Sequence, residues 1–255
     1  MPVEAAQRVR ALAKRFRLPT VAEEVEKRFV EAGHAEALET LAEVFETEVE
    51  ARSERRVDRL RKQSHLPPGK TFSTLDLQRL PPNLSHKLKE LARGDFAAQA
   101  ENVLAFGLPG TGKTHAMAAV GHALVEAGRA VLFSPAFRLV QELLAAKRDL
   151  QLPRALRKLD KFDVLILDDI GYVQQNADEV EVLFTLLAER YERRSLIITS
   201  NLVFSEWDQI FKNPMTTAAA IDRVVHHSSI LEFDVESYRT EAAKRRQKGG
   251  ASAAA

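Results

Sequence analysis

The chain has no cysteine among its 255 residues, which excludes disulfides, thiol catalysis and Cys-ligated zinc or iron–sulfur centres. No apolar run approaches the ~18 residues of a membrane-spanning helix. Residues 1–17 mix charged and apolar side chains, unlike a signal peptide. An excess of one charge is also missing: 37 Lys and Arg stand against 36 Asp and Glu, a formal net charge of +1. Global charge therefore says little about partners, and local clusters must carry that question. The seven histidines show no metal-ligand spacing. His226 and His227 are adjacent and should diverge on a helix, and His115 and His122 lie two turns apart. Neither G-x-S-x-G nor H-E-x-x-H occurs. At 29% charged and 45% hydrophobic residues, the composition is that of a soluble globular protein, expected in the cytoplasm and not in a membrane.

What is present is a phosphate-binding signature. Gly107-Leu108-Pro109-Gly110-Thr111-Gly112-Lys113-Thr114 fits G-x-x-x-x-G-K-[ST]. Val103 to Phe106 precede it as a short apolar strand, and Met117, Val120, Leu124 and Val125 follow at helical spacing. Gly107, Gly110 and Gly112 allow backbone conformations that side chains forbid, so the loop can turn its N–H groups towards phosphates. Lys113 supplies a cation near the outer phosphates, and the Thr114 hydroxyl is a magnesium ligand. The expected ligands are ATP and Mg2+.

Residues 164–169 form an apolar strand ending in Asp168 and Asp169. With a P-loop upstream this is a Walker B arrangement: Asp168 for magnesium and Asp169 to orient the attacking water. The other reading is an ordinary acidic strand exit. Residues 196–201 form another apolar strand ending in Asn201, a sensor of the γ-phosphate or a turn former. The two strand ends should be neighbours in the sheet. Arg223, on an expected helix over 220–227, is either an arginine finger for a neighbouring subunit or an ion-pair partner of Asp222.

Along the chain, residues 1–63 read as helices, with a capping box at Thr20 and Glu23 and a break at Gly33. The far end of the third helix is basic. Arg52, Arg55, Arg56, Arg59 and Lys62 form either a solvated face with pairs such as Glu48–Arg52 or a phosphate-contacting helix. Lys147, Arg148, Arg154, Arg157 and Lys158 make a second basic cluster. Neither cluster has interleaved aromatics, which favours duplex over single-stranded nucleic acid. Residues 64–101 read as a linker with a lead-in helix that Gly94 ends. From 102 to 248 strands alternate with helices: strands over 102–106, 129–134, 162–167, 195–199 and 230–233, helices notably over 136–148 and 178–194. That predicts an α/β fold, a five-stranded parallel sheet covered on both faces. Residues 249–255 hold only Gly, Ser and Ala and are expected to be disordered.

With these pieces in place, the chain resembles IstB, the AAA+ ATPase helper of one group of bacterial insertion sequences, over nearly its whole length. It is more distantly similar to DnaC, the bacterial helicase loader. The likeness rests on Glu48-Val49-Glu50-Ala51-Arg52, Gly94-Asp95-Phe96, Glu101-Asn102-Val103 and Gly112-Lys113-Thr114-His115, then on Thr199-Ser200-Asn201, Glu206-Trp207, Asp222-Arg223 and Ser237-Tyr238-Arg239. It places His115 with Gly107, Pro109, Gly110, Thr111, Gly112, Lys113 and Thr114 at the nucleotide. It implies a P-loop AAA+ ATPase that binds duplex DNA, self-associates into a ring or helical oligomer and assists a transposase in target selection and integration. A helicase loader on single-stranded DNA, or a nucleotide-gated scaffold without turnover, are the alternatives. Arg239 is the candidate second sensor. Asp169 stands where most AAA+ proteins carry Glu, so slow hydrolysis is expected.

Overall fold

An apolar stripe organises the N-terminal helices. Val9 and Ala13 are fully buried on α1 (Pro2–Arg15). Val9 meets Val25 of α2 (Pro19–Glu31) and Leu38 and Ala42 of α3 (Ala37–Gln63) in one small core. Arg8 reaches from α1 to Glu39 and Glu46 of α3, and both carboxylates raise its pKa. The capping box expected at Thr20 is absent. α2 starts at Pro19, whose missing N–H falls where a helix needs none, and Leu18 caps it without a side-chain bond. Gly33 does end α2: it is left-handed (φ 76°), and His34 N–H reaches back to Phe29 O at 2.8 Å.

The computed structural model describes residues 2–172, 176–211 and 213–238. The chain divides into two compact units, 1–58 and 59–255, so the division falls within α3. Arg239 and the segment 249–255 lie outside the described residues.

The second unit is built on five strands: β1 (Asn102–Phe106), β2 (Val131–Pro135), β3 (Val164–Asp168), β4 (Ser195–Ser200) and β5 (Ser228–Glu232). Their order is β2-β3-β4-β1-β5, and every pairing is parallel. The expected five-stranded parallel sheet is therefore present. β1 and β4 are buried along their whole lengths, and β3 up to Asp168, because helices cover both faces. The helices are α4 (Pro82–Leu91), α5 (Asp95–Ala98), α6 (Lys113–Glu126), α7 (Ala136–Arg148), α8 (Leu152–Leu159), α9 (Ala177–Arg190), α10 (Asp208–Phe211) and α11 (Pro214–Val225). α7 to α11 share a core with Leu165, Leu167 and Ile198. On the other face α6 lies close to β3. A Cβ added at Gly121 would stand 2.8 Å from Ile166 Cδ1 and 2.7 Å from Leu66 Cδ2.

Residues 64–76, read from sequence as a linker, are part of this unit's packing. Ser64 is buried and its carbonyl accepts Phe133 N–H at 2.7 Å, on the edge strand β2. His122 Nε2 meets Pro67 O at 3.2 Å. Two helices differ from expectation. The one expected over 178–194 stops at Arg190, because the backbone turns extended at Tyr191 and left-handed at Glu192 (φ 54°). The one expected over 220–227 starts at Pro214, behind an Asn213 cap whose side chain accepts from Met215 N and Thr216 N. Arg223 therefore sits in the last turn, not the middle. His226 is the C-cap and His227 lies beyond it. Their rings do not diverge but approach to 4.2 Å between centroids.

Arg190 pins the end of α9 to the sheet. It is 1% exposed and donates to Leu159 O (3.1 Å), Phe162 O (3.1 Å) and Ser195 O (3.0 Å). Burial lowers its pKa to about 10, against the pull of Asp160 and Asp163, so it is still a cation at neutral pH. Replacing it strands those carbonyls in a dry site. Arg190→Met should destabilise the unit by about 3 kcal/mol, lowering the melting midpoint by roughly 6–12 °C. An unchanged midpoint in a thermal melt would mean that water serves those carbonyls instead.

Candidate nucleotide site

β1 leads directly into the phosphate loop, as the motif requires. Gly107 follows with φ 151°, and a Cβ there would stand 2.6 Å from the backbone oxygen of Phe233. Phe233 is held in that place by its N–H bond to Phe106 O (2.7 Å). Only glycine fits. Gly112 is left-handed (φ 97°) and caps α6, so the helix N-terminus opens onto the loop. Thr111 is buried, its hydroxyl spent on Leu108 O at 2.8 Å. Lys113 is 5% exposed, and its ammonium donates to Gly107 O (2.6 Å) and Leu108 O (2.9 Å). An ammonium on carbonyl oxygens gains by moving to phosphate oxygens, since two opposite full charges attract more strongly than a charge and a dipole.

The Asp168 and Asp169 pair sits at the end of β3 and is bound to β4, its neighbour in the sheet as expected. The Thr199 hydroxyl donates to Asp168 Oδ1 at 2.8 Å and accepts Asp169 N–H at 2.8 Å. One buried hydroxyl thus fixes one oxygen of the first carboxylate and the backbone of the second. That backbone is left-handed, φ 57° at Asp169, uncommon for a residue with a side chain. The sequence names Thr199 only within the family likeness and gives it no role, because a threonine inside a largely apolar strand carries no chemical motif of its own. Two residues on, Asn201 Oδ1 is buried without a hydrogen-bond partner. A Cβ at Gly171 would come within 2.5 Å of it. A buried acceptor with no donor suits a bound water or an amide turned the other way.

These groups border one cavity of about 340 Å³, a volume usual for a small-molecule site. Pro109, Gly110, Gly112, Lys113, Thr114 and His115 line one side, with Asp169 and Asn201. Gly107, Thr111 and Asp168 do not line it themselves. Lys70, Thr74, Leu75, Asp76 and Tyr238, none of them expected at the nucleotide, line the same cavity. Tyr238 N–H bonds to Gly110 O at 3.0 Å, and the Arg79 guanidinium lies 3.9 Å over its ring. His115 Nε2 faces Thr74 Oγ1 (3.0 Å) and Thr71 O (3.2 Å), so this histidine ties that segment to the loop. No sequence signal marks residues 70–76, since irregular chain has no period. The donors fit the expected group. Lys113, loop amides and a helix N-terminus suit a polyphosphate, and the Thr114 hydroxyl with the Asp168 carboxylate offers the hard oxygens that magnesium prefers.

Arg223 is not part of this cavity. Its Nη1 donates to Ala219 O at 2.9 Å, and its guanidinium lies 4.9 Å over the Phe184 ring. The basic clusters are unequal. Arg52 and Arg55 both hold Glu48, at 2.6 and 3.0 Å, and Arg52 covers Phe16. Lys147 is bound by Asp178 (2.9 Å) and Glu181 (2.8 Å), which raise its pKa. Arg56, Arg59 and Lys62 on α3 are exposed, as are Arg148, Arg154, Arg157 and Lys158 around α8.

Comparison with known proteins agrees with this geometry. A family model described as IstB-like ATP binding protein matches residues 11–247. A Sinorhizobium fredii protein, named as an insertion sequence ATP-binding protein, is 45% identical over 232 residues, 89% of this chain and 78% of that one. A Pseudomonas aeruginosa protein, named as the ATP-binding protein of insertion sequence IS21, is 39% identical over 83% of this chain and 79% of its own. Among solved structures, the DnaC helicase loader superposes with a TM-score of 0.52 at 15% identity, over 60% of this chain and 89% of that one. DnaI does so with 0.55 at 21% identity, over 66% and 95%. The fold is that of a P-loop AAA+ protein.

Thr199→Val keeps the shape and removes the hydroxyl that holds both aspartates. It should destabilise the protein by about 1–3 kcal/mol and weaken ATP binding with magnesium more than without it. Melting curves and paired nucleotide titrations check this. Equal weakening in both titrations would remove Thr199 from the magnesium side of the site.

Proposed function

The chain belongs to the family of IstB-like ATP-binding proteins, and we propose that it is an ATPase that assembles on duplex DNA and assists the transposase of an insertion sequence. One observation carries the catalytic part: Lys113, Asp169 and Asn201, from three separate strand ends, border a single cavity. Lys113 leaves the loop carbonyls for the outer phosphates. A magnesium ion, when bound, supplies charge to the transferred phosphoryl group, and Thr114 and Asp168 would hold it. Thr199 fixes one oxygen of Asp168 and leaves the other for that ion. Asp169 orients the attacking water, with Asn201 beside it. Asp is one methylene shorter than Glu, and a displacement of about 1 Å can slow a reaction on the order of a hundredfold. Turnover is therefore slow, suited to timing an assembly.

Arg223 stands away from its own cavity, as a group serving a neighbour's nucleotide must. Head-to-tail association, in a ring or a helix, presents such a residue to the next subunit. The basic surface around α8 is the stronger candidate for DNA. Arg52, Arg55 and Lys147 would have to leave a carboxylate to reach a phosphate. A nucleotide-gated scaffold without turnover is the second reading, favoured by the shorter Asp169. ATP turnover measured with and without duplex DNA separates the two.

Arg223→Ala should bind ATP normally and lose hydrolysis by about 10³–10⁵, the worth of an arginine finger. Mixed with Lys113→Ala, it should regain part of the activity, since one variant keeps the pocket and the other the arginine. Mixed assemblies that co-sediment on DNA yet stay inactive would make Arg223 an intrasubunit residue.

DNA binding should be electrostatic and largely independent of sequence. Reversing Arg154, Arg157 and Lys158 to Glu should flatten the slope of log K against log salt by about 0.9 for each phosphate no longer neutralised. An unchanged slope would move the DNA surface elsewhere, with the α3 cluster next in line.

A further inference from the structure

The turn after α9 and the end of α11 bring ligand-type side chains together, away from the nucleotide cavity. Glu192 Oε1 is 3.8 Å from His226 Nδ1 and 4.0 Å from His227 Nε2. One donor atom from each of the three residues lies within 4.8 Å of the others. The Tyr191 hydroxyl stands 2.8 Å from His226 Nδ1. Consecutive residues inside a helix point about 100° apart, which would separate the two imidazoles. Here the helix ends between them, and the second ring comes back beside the first.

We propose that Glu192, His226 and His227 form a binding site for a divalent first-row transition metal ion of the zinc class. Two imidazoles and one carboxylate are a donor set that zinc accepts, with an open fourth position. Calcium and magnesium prefer oxygen ligands throughout, so this site differs in kind from the one at Thr114 and Asp168. Tetrahedral bonds of about 2.0–2.1 Å place neighbouring donors roughly 3.3 Å apart. The present separations close with shifts of about 1 Å or less at the ends of exposed side chains. The backbone need not move. The Tyr191 phenol lies against this cluster, hydrogen-bonded to His226. That phenol now holds the His226 nitrogen that the ion takes, so it has to yield it.

A bound ion would tie the turn after α9 to α11, where Arg223 lies over Phe184 of α9. The site itself stands on its own side chains and does not depend on the role given to Arg223.

The test is isothermal titration of zinc into the untagged full chain, freed of metal by a chelator and kept free of nucleotide. One equivalent should bind, in the micromolar range or tighter. Glu192→Gln, His226→Gln and His227→Gln should each weaken binding by at least about tenfold. His34→Gln should leave it unchanged, although His34 also faces a carboxylate, Glu36, at 4.0 Å. Cobalt(II) should give the visible absorption of a four-coordinate centre in the wild type and lose it in the triple variant. All the altered side chains are exposed, so melting curves without metal should coincide and show that the variants fold. No saturable binding, or binding that survives in the triple variant, overturns the site.

Discussion

β4 is hydrogen-bonded between β1 and β3, and the chemistry of the molecule depends on that placement. In a parallel sheet all C-terminal ends leave on one side. β1 delivers the phosphate loop there, β3 delivers Asp168 and Asp169, and β4 delivers Thr199 and Asn201. Because β4 adjoins β3, the Thr199 hydroxyl can bond Asp168 and the Asp169 backbone at once. An inserted strand would break that bridge and separate the carboxylates from the loop. Asn102 secures the other end of the arrangement. Its side chain accepts Leu196 N–H and donates to Val224 O, joining β1 to β4 and α11 through one buried amide.

The strand ends make only half of the cavity. Residues 70–76 and Tyr238 supply the remaining wall, from segments that precede β1 and follow β5. Tyr238 bonds the loop directly at Gly110, while His115 reaches Thr71 and Thr74. A ligand entering this space touches segments far apart in the chain. Segment 59–76 runs from the end of α3 to the cavity, with Ser64 and Leu66 packed against β2 and α6 on the way.

Charge is distributed by the same logic. Exposed i,i+4 pairs such as Arg52 with Glu48 contribute little to stability. Their effect is to engage arginines that would otherwise face solvent alone. Arg190 is the opposite case, a buried cation held by backbone carbonyls at the junction of α9 and β4. The next two residues, Tyr191 and Glu192, meet His226 across that same junction.

The sequence by itself determined the parallel α/β sheet, the phosphate loop with its glycines, the two aspartates after β3 and the family likeness. Each is local: a short apolar run, a fixed spacing or a residue at a strand end leaves its mark within a few neighbours. Helix ends were less legible. Asn213-Pro214 is a start signal that could have placed α11 correctly, but the stop of α9 at Arg190 depends on carbonyls from β4 and the turn before β3. Only the tertiary structure decided that Thr199 holds both aspartates, that residues 70–76 and Tyr238 close the cavity, that Arg223 stands outside it and that His226 and His227 converge on Glu192. These are contacts between segments distant in the chain. No period or spacing along a sequence encodes them, because they follow from which strands pair and where each helix stops.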